Sequence, residues 1–174
     1  MVVCAGESEQ FNFAIPVGIG LVDAAINLTQ ICLEQNPKEI LFVGSAGSYG
    51  AHQIFDIVET ECACNVENSS LQGQSYSPIA TNVSHETSLC EVMVNSSNYI
   101  TTEESLGQAY LKKNIHLENM EFYAIMKVAK AFGISAKGIL IVTNYCNENA
   151  HRDFINNHKE AMERLTRYIE NTLA

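Results

Sequence analysis

Positive charge is scarce in this chain. Its only arginines are Arg152, Arg164 and Arg167, and ten Lys+Arg stand against twenty Asp+Glu, a formal net charge of −10. A nucleic-acid duplex or an anionic membrane surface would repel such a protein, and no basic stripe offsets the imbalance. No apolar run reaches membrane-spanning length. The start, Met1 to Glu7, has neither a basic leader nor a long apolar stretch, so no signal peptide is expected and the expected location is the cytoplasm. No internal repeat or low-complexity linker interrupts the chain. Charged residues make up only 17% and hydrophobic ones 47% of 174 residues, which excludes a solvated disordered chain and suits one domain, residues 1–174, with a genuine core. The six cysteines then fit a reducing compartment, acting as small hydrophobes. Cys62 and Cys64 share a strand face, but no second cysteine or histidine pair accompanies them, so no metal is expected. His85 and Cys90 flank no strand-to-helix elbow, so no thiol nucleophile is expected there.

Short apolar runs at Met1–Ala5, Ile40–Val43, Ile54–Val58, Val92–Val94 and Gly138–Val142 read as strands buried on both faces. Helical patterns lie between them. Leu21 to Gln35 carries Val22, Ala25, Ile26, Thr29 and Leu33 at helical spacing and stops at Asn36-Pro37. Asn119 to Phe132 is apolar almost all round except for Lys127 and Lys130, and Gly133 ends it. The C-terminal stretch aligns Phe154, His158, Ala161, Met162, Leu165, Tyr168, Ile169 and Leu173 on one face. Alternating strands and helices predict an α/β three-layer sandwich, a mixed central β-sheet flanked by helices. Glu59 to Glu91 is polar and poorly periodic, and reads as a strand near Glu61–Cys64 followed by a long loop.

Four segments carry chemistry, each where a strand ends or a helix begins. Val17-Gly18-Ile19-Gly20 precedes a helix, where glycines turn the backbone and expose amide donors; by itself such a pair more often marks a plain structural turn. Val43-Gly44-Ser45-Ala46-Gly47-Ser48 follows an apolar strand, and its small residues offer N–H and hydroxyl donors to an anion or a sugar oxygen. Glu121 enters an otherwise apolar helix, a costly place for a carboxylate. It serves either the helix dipole or a diol such as the ribose 2′- and 3′-hydroxyls, which one carboxylate can hold together. Thr143-Asn144 marks a buried strand running into a polar loop, where Asn144 caps the strand or offers its amide to a purine.

Taken in order, Gly-Ile-Gly-x-x-x-Ala-Ala from Gly18, Gly44-Ser45-Ala46-Gly47, Asn95-Ser96-Ser97-Asn98-Tyr99-Ile100, Asn119-Met120-Glu121 and Thr143-Asn144 resemble the purine nucleoside phosphorylase and methylthioadenosine/S-adenosylhomocysteine nucleosidase superfamily, from Phe13 onward. The resemblance implies a nucleoside phosphorylase-like fold and cleavage of a purine base from its sugar. It places Tyr99 against the purine and Met120 under the ribose, with Glu121 holding the ribose hydroxyls. Gly20 and Ser45 fall on the phosphate or nucleophile side, and Asn144, beside Thr143, faces purine N7. Phe154 falls near the sugar 5′ end, and His158 matches a 5′-hydroxyl-binding histidine under the alternative alignment to the 6-oxopurine phosphorylases. No cofactor is implied, with phosphate as co-substrate in a phosphorylase. The implied partners are a purine nucleoside or base and further copies of the chain, in a dimer or larger oligomer.

Three departures from the pattern bear on the reaction. The chain is shorter than family enzymes near its N-terminus, where nucleosidases keep an acidic residue that activates water; Glu7 and Glu9 follow a strand and are the candidates. Phe42 stands where one subfamily of phosphorylases has a phosphate-binding arginine, and no arginine occurs before Arg152. Asn144 replaces the aspartate of nucleosidases and 6-aminopurine phosphorylases, as in the 6-oxopurine phosphorylases. Asparagine donates a hydrogen bond but is no general acid. Phosphorolysis of 6-oxopurine nucleosides is the leading expectation, with Asn144 favouring the 6-oxopurine; the absent arginines count against phosphate and make hydrolysis by water the second, and the short N-terminus with Asn144 makes a catalytically weakened nucleoside- or base-binding protein the third.

Overall fold

Two long apolar strands run side by side through the centre of the computed structural model, which describes residues 1–84 and 89–173, with side chains through 172. Strand β3 (Glu39–Ser48) and strand β9 (Ser135–Tyr145) pair in parallel along their whole length. Their side chains alternate between two cores. Ile40, Phe42, Leu140 and Val142 face one side, and Leu41, Val43, Ile139 and Ile141 the other. Burial on both faces is why these segments read as continuous apolar runs rather than alternating ones. Both strands extend beyond the predicted Ile40–Val43 and Gly138–Val142 into the polar residues that build the site.

Among the described residues the remaining strands widen this centre into one mixed nine-stranded sheet. β1 (Val2–Cys4) lies parallel to β3, with β2 (Ile15–Pro16) outside it. β4 (Ile57–Thr60), displaced from the predicted Ile54–Val58, runs antiparallel to β9. β5 (Cys62–Cys64), β6 (Asn82–Ser84), β7 (Val94–Asn95) and β8 (Leu117–Glu118) continue the sheet from the end of β3. A register shift between Ala46 and Gly47 interrupts the β3–β9 ladder, and just beyond it β8 pairs with Gly47 and Ser48. Such irregularities re-aim the side chains around them.

Helices cover both faces, as the three-layer expectation requires. α1 (Gly20–Gln35) and α4 (Phe122–Phe132) pack on one face and α5 (Ala150–Leu173) on the other. α2 (Asn68–Leu71) and α3 (Glu104–Leu111) are short and peripheral, and neither was predicted. α4 stops where Gly133 takes a left-handed conformation (φ 68°), the geometry its sequence foreshadows. On α5, Ala161, Leu165 and Ile169 are fully buried, Phe154, His158 and Met162 half-buried, and Tyr168 rather exposed. The Leu173 side chain lies outside the described residues, as does His85.

Two expectations are corrected. On α1 the buried stripe is Gly20, Ala24, Leu28 and Cys32, while Val22, Ile26 and Leu33 are 61%, 58% and 70% exposed. Small side chains let the helix lie close to the sheet and α4, so the bulkier stripe is turned outward. The cysteines are not all free thiols. Cys4, Cys32, Cys64 and Cys146 are buried and free, but Cys62 and Cys90 form a disulfide with their Cα atoms 5.7 Å apart. It ties the two ends of the polar 65–90 excursion together. That excursion is not one loop, since it contains α2 and β6. Among the described residues no helix is long and apolar enough to cross a membrane, and no group of three or more His, Cys, Asp or Glu is placed to hold a metal ion.

Candidate active site

A cavity of about 310 Å³ opens at the carboxyl ends of the parallel strands β1, β3 and β9, the place where open α/β sheets bind ligands. The volume lies at the lower end of that of small-molecule pockets. Glu9, Ser45, Met120, Glu121, Asn144 and Phe154 line it. Three of its lining residues are buried acids, Glu9, Glu118 and Glu121, and no lysine or arginine lies on the wall.

Glu121 sits at the start of α4, 3% exposed. Asn119 holds this helix entrance. Its Oδ1 accepts from the backbone N–H groups of Glu121 (2.9 Å) and Phe122 (2.8 Å), while its Nδ2 donates to the Ser45 carbonyl at 3.0 Å. These bonds satisfy otherwise orphaned donors of the first turn. The Glu121 carboxylate accepts the Gly20 N–H at 2.8 Å, at the N-terminus of α1. Gly20 itself is not on the cavity wall; it serves the site through this amide. Its left-handed backbone (φ 84°) needs glycine, and a Cβ there would lie 2.9 Å from Asn98 Oδ1.

Glu9 reaches the cavity from a tight turn after β1, in which Glu9 N–H donates to the Gly6 carbonyl at 2.9 Å. Glu7, the other N-terminal candidate, is exposed. The Glu9 carboxylate is buried and accepts both the Ser45 N–H at 3.1 Å and the Ser45 hydroxyl. Gly44 makes the space, because a Cβ there would come 2.7 Å from Glu9 Oε2.

Asn144 follows the β3–β9 register shift. Its Oδ1 accepts from the Thr143 hydroxyl at 2.9 Å, and its Nδ2 donates to the Tyr145 carbonyl at 3.2 Å. An amide nitrogen has two protons, so one stays available to a ligand. Thr143 is 1% exposed and off the cavity wall. Rather than touching a ligand, it orients Asn144.

Burial pushes the Glu121 carboxyl up to about 7; the Gly20 amide lowers it and the nearby Glu9 charge raises it. Burial also raises Glu9, against the lowering effect of Ser45 and of the His158 charge. The folded state therefore holds protons that the unfolded chain, with ordinary carboxyls, has lost. This contribution to stability is fully present below the usual carboxylate value of 4.5 and disappears as pH rises through about 7. The ligand-free protein is expected to melt lower at pH 8 than at pH 5.5. Glu121→Gln, which never ionises, should flatten that dependence in thermal melts; an unchanged slope would remove Glu121 from the account.

Not every expected residue is brought together. Tyr99 is 75% exposed and absent from the wall, where its neighbour Ile100 stands instead. Asn98 is pinned to the Leu21 N–H at 2.9 Å and Tyr99 N–H is held by Ser97 Oγ, so the turn presents Ile100 inward and Tyr99 outward. His158 also lies off the wall, its ring 4.9 Å from that of Phe154 and its Nε2 buried without a hydrogen-bond partner among the described residues. Glu118, Ile100, Asn119 and His151 are wall residues that sequence reasoning passed over. The Asn-x-Glu spacing of Asn119 and Glu121 ahead of an apolar run was the signal available for Asn119.

The family model described as Phosphorylase superfamily matches residues 2–174. The chain belongs to the phosphorylase superfamily. Solved structures with the same fold include an Asp-to-Asn mutant of the Helicobacter pylori 5′-methylthioadenosine/S-adenosylhomocysteine nucleosidase with 5′-methylthioadenosine in its active site. It is 15% identical, with a TM-score of 0.78 over 92% of this chain and 78% of that one. A futalosine hydrolase mutant of H. pylori is 14% identical, with a TM-score of 0.80 over 99% and 96%. The Streptococcus pneumoniae nucleosidase with a transition-state inhibitor is 14% identical, with a TM-score of 0.78 over 97% and 95%. The first of these three chains is matched over less of its length than the other two. No curated protein sequence matches the chain.

Proposed function

We propose that this protein cleaves the N-glycosidic bond of purine nucleosides and uses water to do so. The observation that carries the choice of water is the Glu9–Ser45 pair. Ser45 N–H and hydroxyl are the donors an incoming phosphate would need, and a buried carboxylate already occupies them. Glu121 takes the Gly20 amide in the same way. A phosphate dianion would meet two acids and no cation; Arg152, the first arginine, is 68% exposed beside Asp153 and off the wall. The same arrangement suits a water molecule, which Glu9 can deprotonate as it attacks the anomeric carbon.

In this reading Glu121 accepts the ribose hydroxyls and its charge favours the cationic sugar of the transition state. Met120 packs under the sugar and Phe154 stands near its 5′ end. The departing base gathers negative charge, which the free Asn144 N–H stabilises without transferring a proton. The activity belongs with the nucleosidases among the structural relatives, two of which carry 5′-methylthioadenosine or a transition-state inhibitor. Phosphorolysis of a 6-oxopurine nucleoside is the second reading, favoured by one feature, the Thr143-Asn144 pair with its orienting hydrogen bond. Incubation with inosine, guanosine, adenosine and methylthioadenosine, with and without phosphate, decides between them. Free base released without phosphate supports hydrolysis. Strict phosphate dependence supports the second reading, and binding without release supports a non-catalytic protein.

The proposal includes a homo-oligomer. Ile19, Val22, Ile26 and Leu33 form an exposed apolar stripe along α1, and Ile19 also lines the cavity. Exposed apolar side chains repeated along one helix suit a contact between copies of the chain. The double substitution Val22→Glu, Ile26→Glu should turn the assembly into monomers on size-exclusion chromatography with light scattering. An unchanged mass would place the contact elsewhere.

A further inference from the structure

Glu118 is the one buried acid on the cavity wall that the proposed chemistry does not use. It is 6% exposed, and its carboxylate is nearly saturated from within the protein. The Thr101 N–H (2.9 Å) and Thr101 hydroxyl (2.5 Å) donate to it from one side, and the Tyr49 hydroxyl (2.8 Å) from the other. Cys146 Sγ approaches at 3.9 Å. Tyr49 is itself held by stacking on Tyr110, with ring centroids 4.5 Å apart. One end of this cluster is therefore core, and the other is an irregular loop.

That loop, residues 97–101, carries Ile100 to the cavity wall while leaving it 53% exposed. The loop's fixed points are Asn98, which accepts the Leu21 N–H, and Thr101 on Glu118. Glu118 and the group proposed to meet the base line the same cavity from either side of Gly47, which pairs with Glu118 on β8 and with Asn144 on β9.

We propose that Glu118 is a positioning residue for the base-binding end of the cavity: its buried carboxylate anchors Thr101 and thereby holds Ile100 as the wall beside which the base sits. This rests on the nucleoside-cleaving reading above. A loop tethered at two points keeps its ordering cost low when the base arrives. Release of one tether weakens capture of the base and leaves the reacting end, Glu9 and Glu121, intact.

The test compares Glu118→Ala, Glu118→Gln, Thr101→Val and Tyr49→Phe. Hydrogen exchange of the 97–101 amides should quicken about tenfold or more in Glu118→Ala, as local opening becomes easier. KM for the cleaved nucleoside should rise about tenfold with kcat within about threefold, the scale of losing a hydrogen bond to a charged group. Glu118→Gln keeps an oxygen for the Thr101 N–H and can donate to either hydroxyl, so it should restore both readouts. Thr101→Val should reproduce part of the effect and add nothing to Glu118→Ala, while Tyr49→Phe should leave the loop amides protected. The proposal is overturned by unchanged exchange, by unchanged KM in a loosened loop, by a fall in kcat alone, or by additive effects of the Glu118 and Thr101 changes. Should Glu118→Ala fail to fold, the Gln and Thr101 variants carry the same comparison. Calorimetric affinities for adenine and hypoxanthine give it without catalysis. A wild type that cleaves nothing but binds a base sinks only the functional reading; one that binds neither base overturns both.

Discussion

Glu121→Ala is expected to lower kcat for nucleoside cleavage about 10³-fold, roughly 4 kcal/mol of transition-state stabilisation. The carboxylate is held by the Gly20 amide and exposed to the cavity, where it can grip both ribose hydroxyls and face the positive charge that develops on the sugar. Glu121→Gln keeps an oxygen for the amide and loses the charge, so it should fall between the two. Neither variant should unfold the protein. Burial makes the ionised Glu121 costly, so Glu121→Gln, which still accepts the Gly20 N–H, should melt no lower than wild type at pH 8. The wild-type rate should rise with pH through about 7 as Glu121 ionises, the opposite sign to the stability trend. Full activity in Glu121→Ala would remove the residue from the chemistry and with it the proposed site.

Glu9→Gln should lower kcat between about 10² and 10⁴-fold and leave KM within about threefold, because a proton acceptor for water matters in the transition state and little in substrate binding. The Gln oxygen can still accept the Ser45 N–H while its amide nitrogen donates to the Ser45 hydroxyl, so the geometry survives while the base is lost. Added phosphate should not rescue the variant. A Glu9→Gln protein as fast as wild type would refute water activation at this position. Rescue by phosphate would show that Ser45 serves an anion once the carboxylate charge is gone.

Much of the architecture was legible before any coordinates. The Ile40–Val43 and Gly138–Val142 runs, the apolar Asn119–Phe132 segment and the C-terminal stripe appear as β3, β9, α4 and α5 because burial on one or both faces imposes a pattern that the chain carries locally. The short pieces were not legible. β2, β7 and β8 have two residues each, and α3 has eight, too few for a period to show. On α1 the period was correct and the face was not. Val22, Ile26 and Leu33 have the bulk expected of a core stripe, yet the close packing favours Ala24, Leu28 and Cys32.

The site divides in the same way. Met120, Glu121, Asn144, Ser45 and Phe154 were named from their motifs and share one cavity. Tyr99 and His158 were named from theirs and do not line it, because a hydrogen-bonded turn rotates one outward and the Phe154 ring lies against the other. Glu118, between Leu117 and Asn119, has nothing in its neighbours to separate it from a surface acid.

By itself the sequence determined the layered α/β pattern, since hydrophobic periodicity is a local property, and its ordered motifs carried the resemblance to the superfamily that named residues at the helix entrance and strand end. Only the tertiary structure decided which acid meets Ser45, where the amide of Gly20 finds its carboxylate and which face of α1 is covered. Those contacts join residues 36 and 101 positions apart. The cost of burying a carboxylate, and the donors that offset it, depend on what distant segments bring alongside.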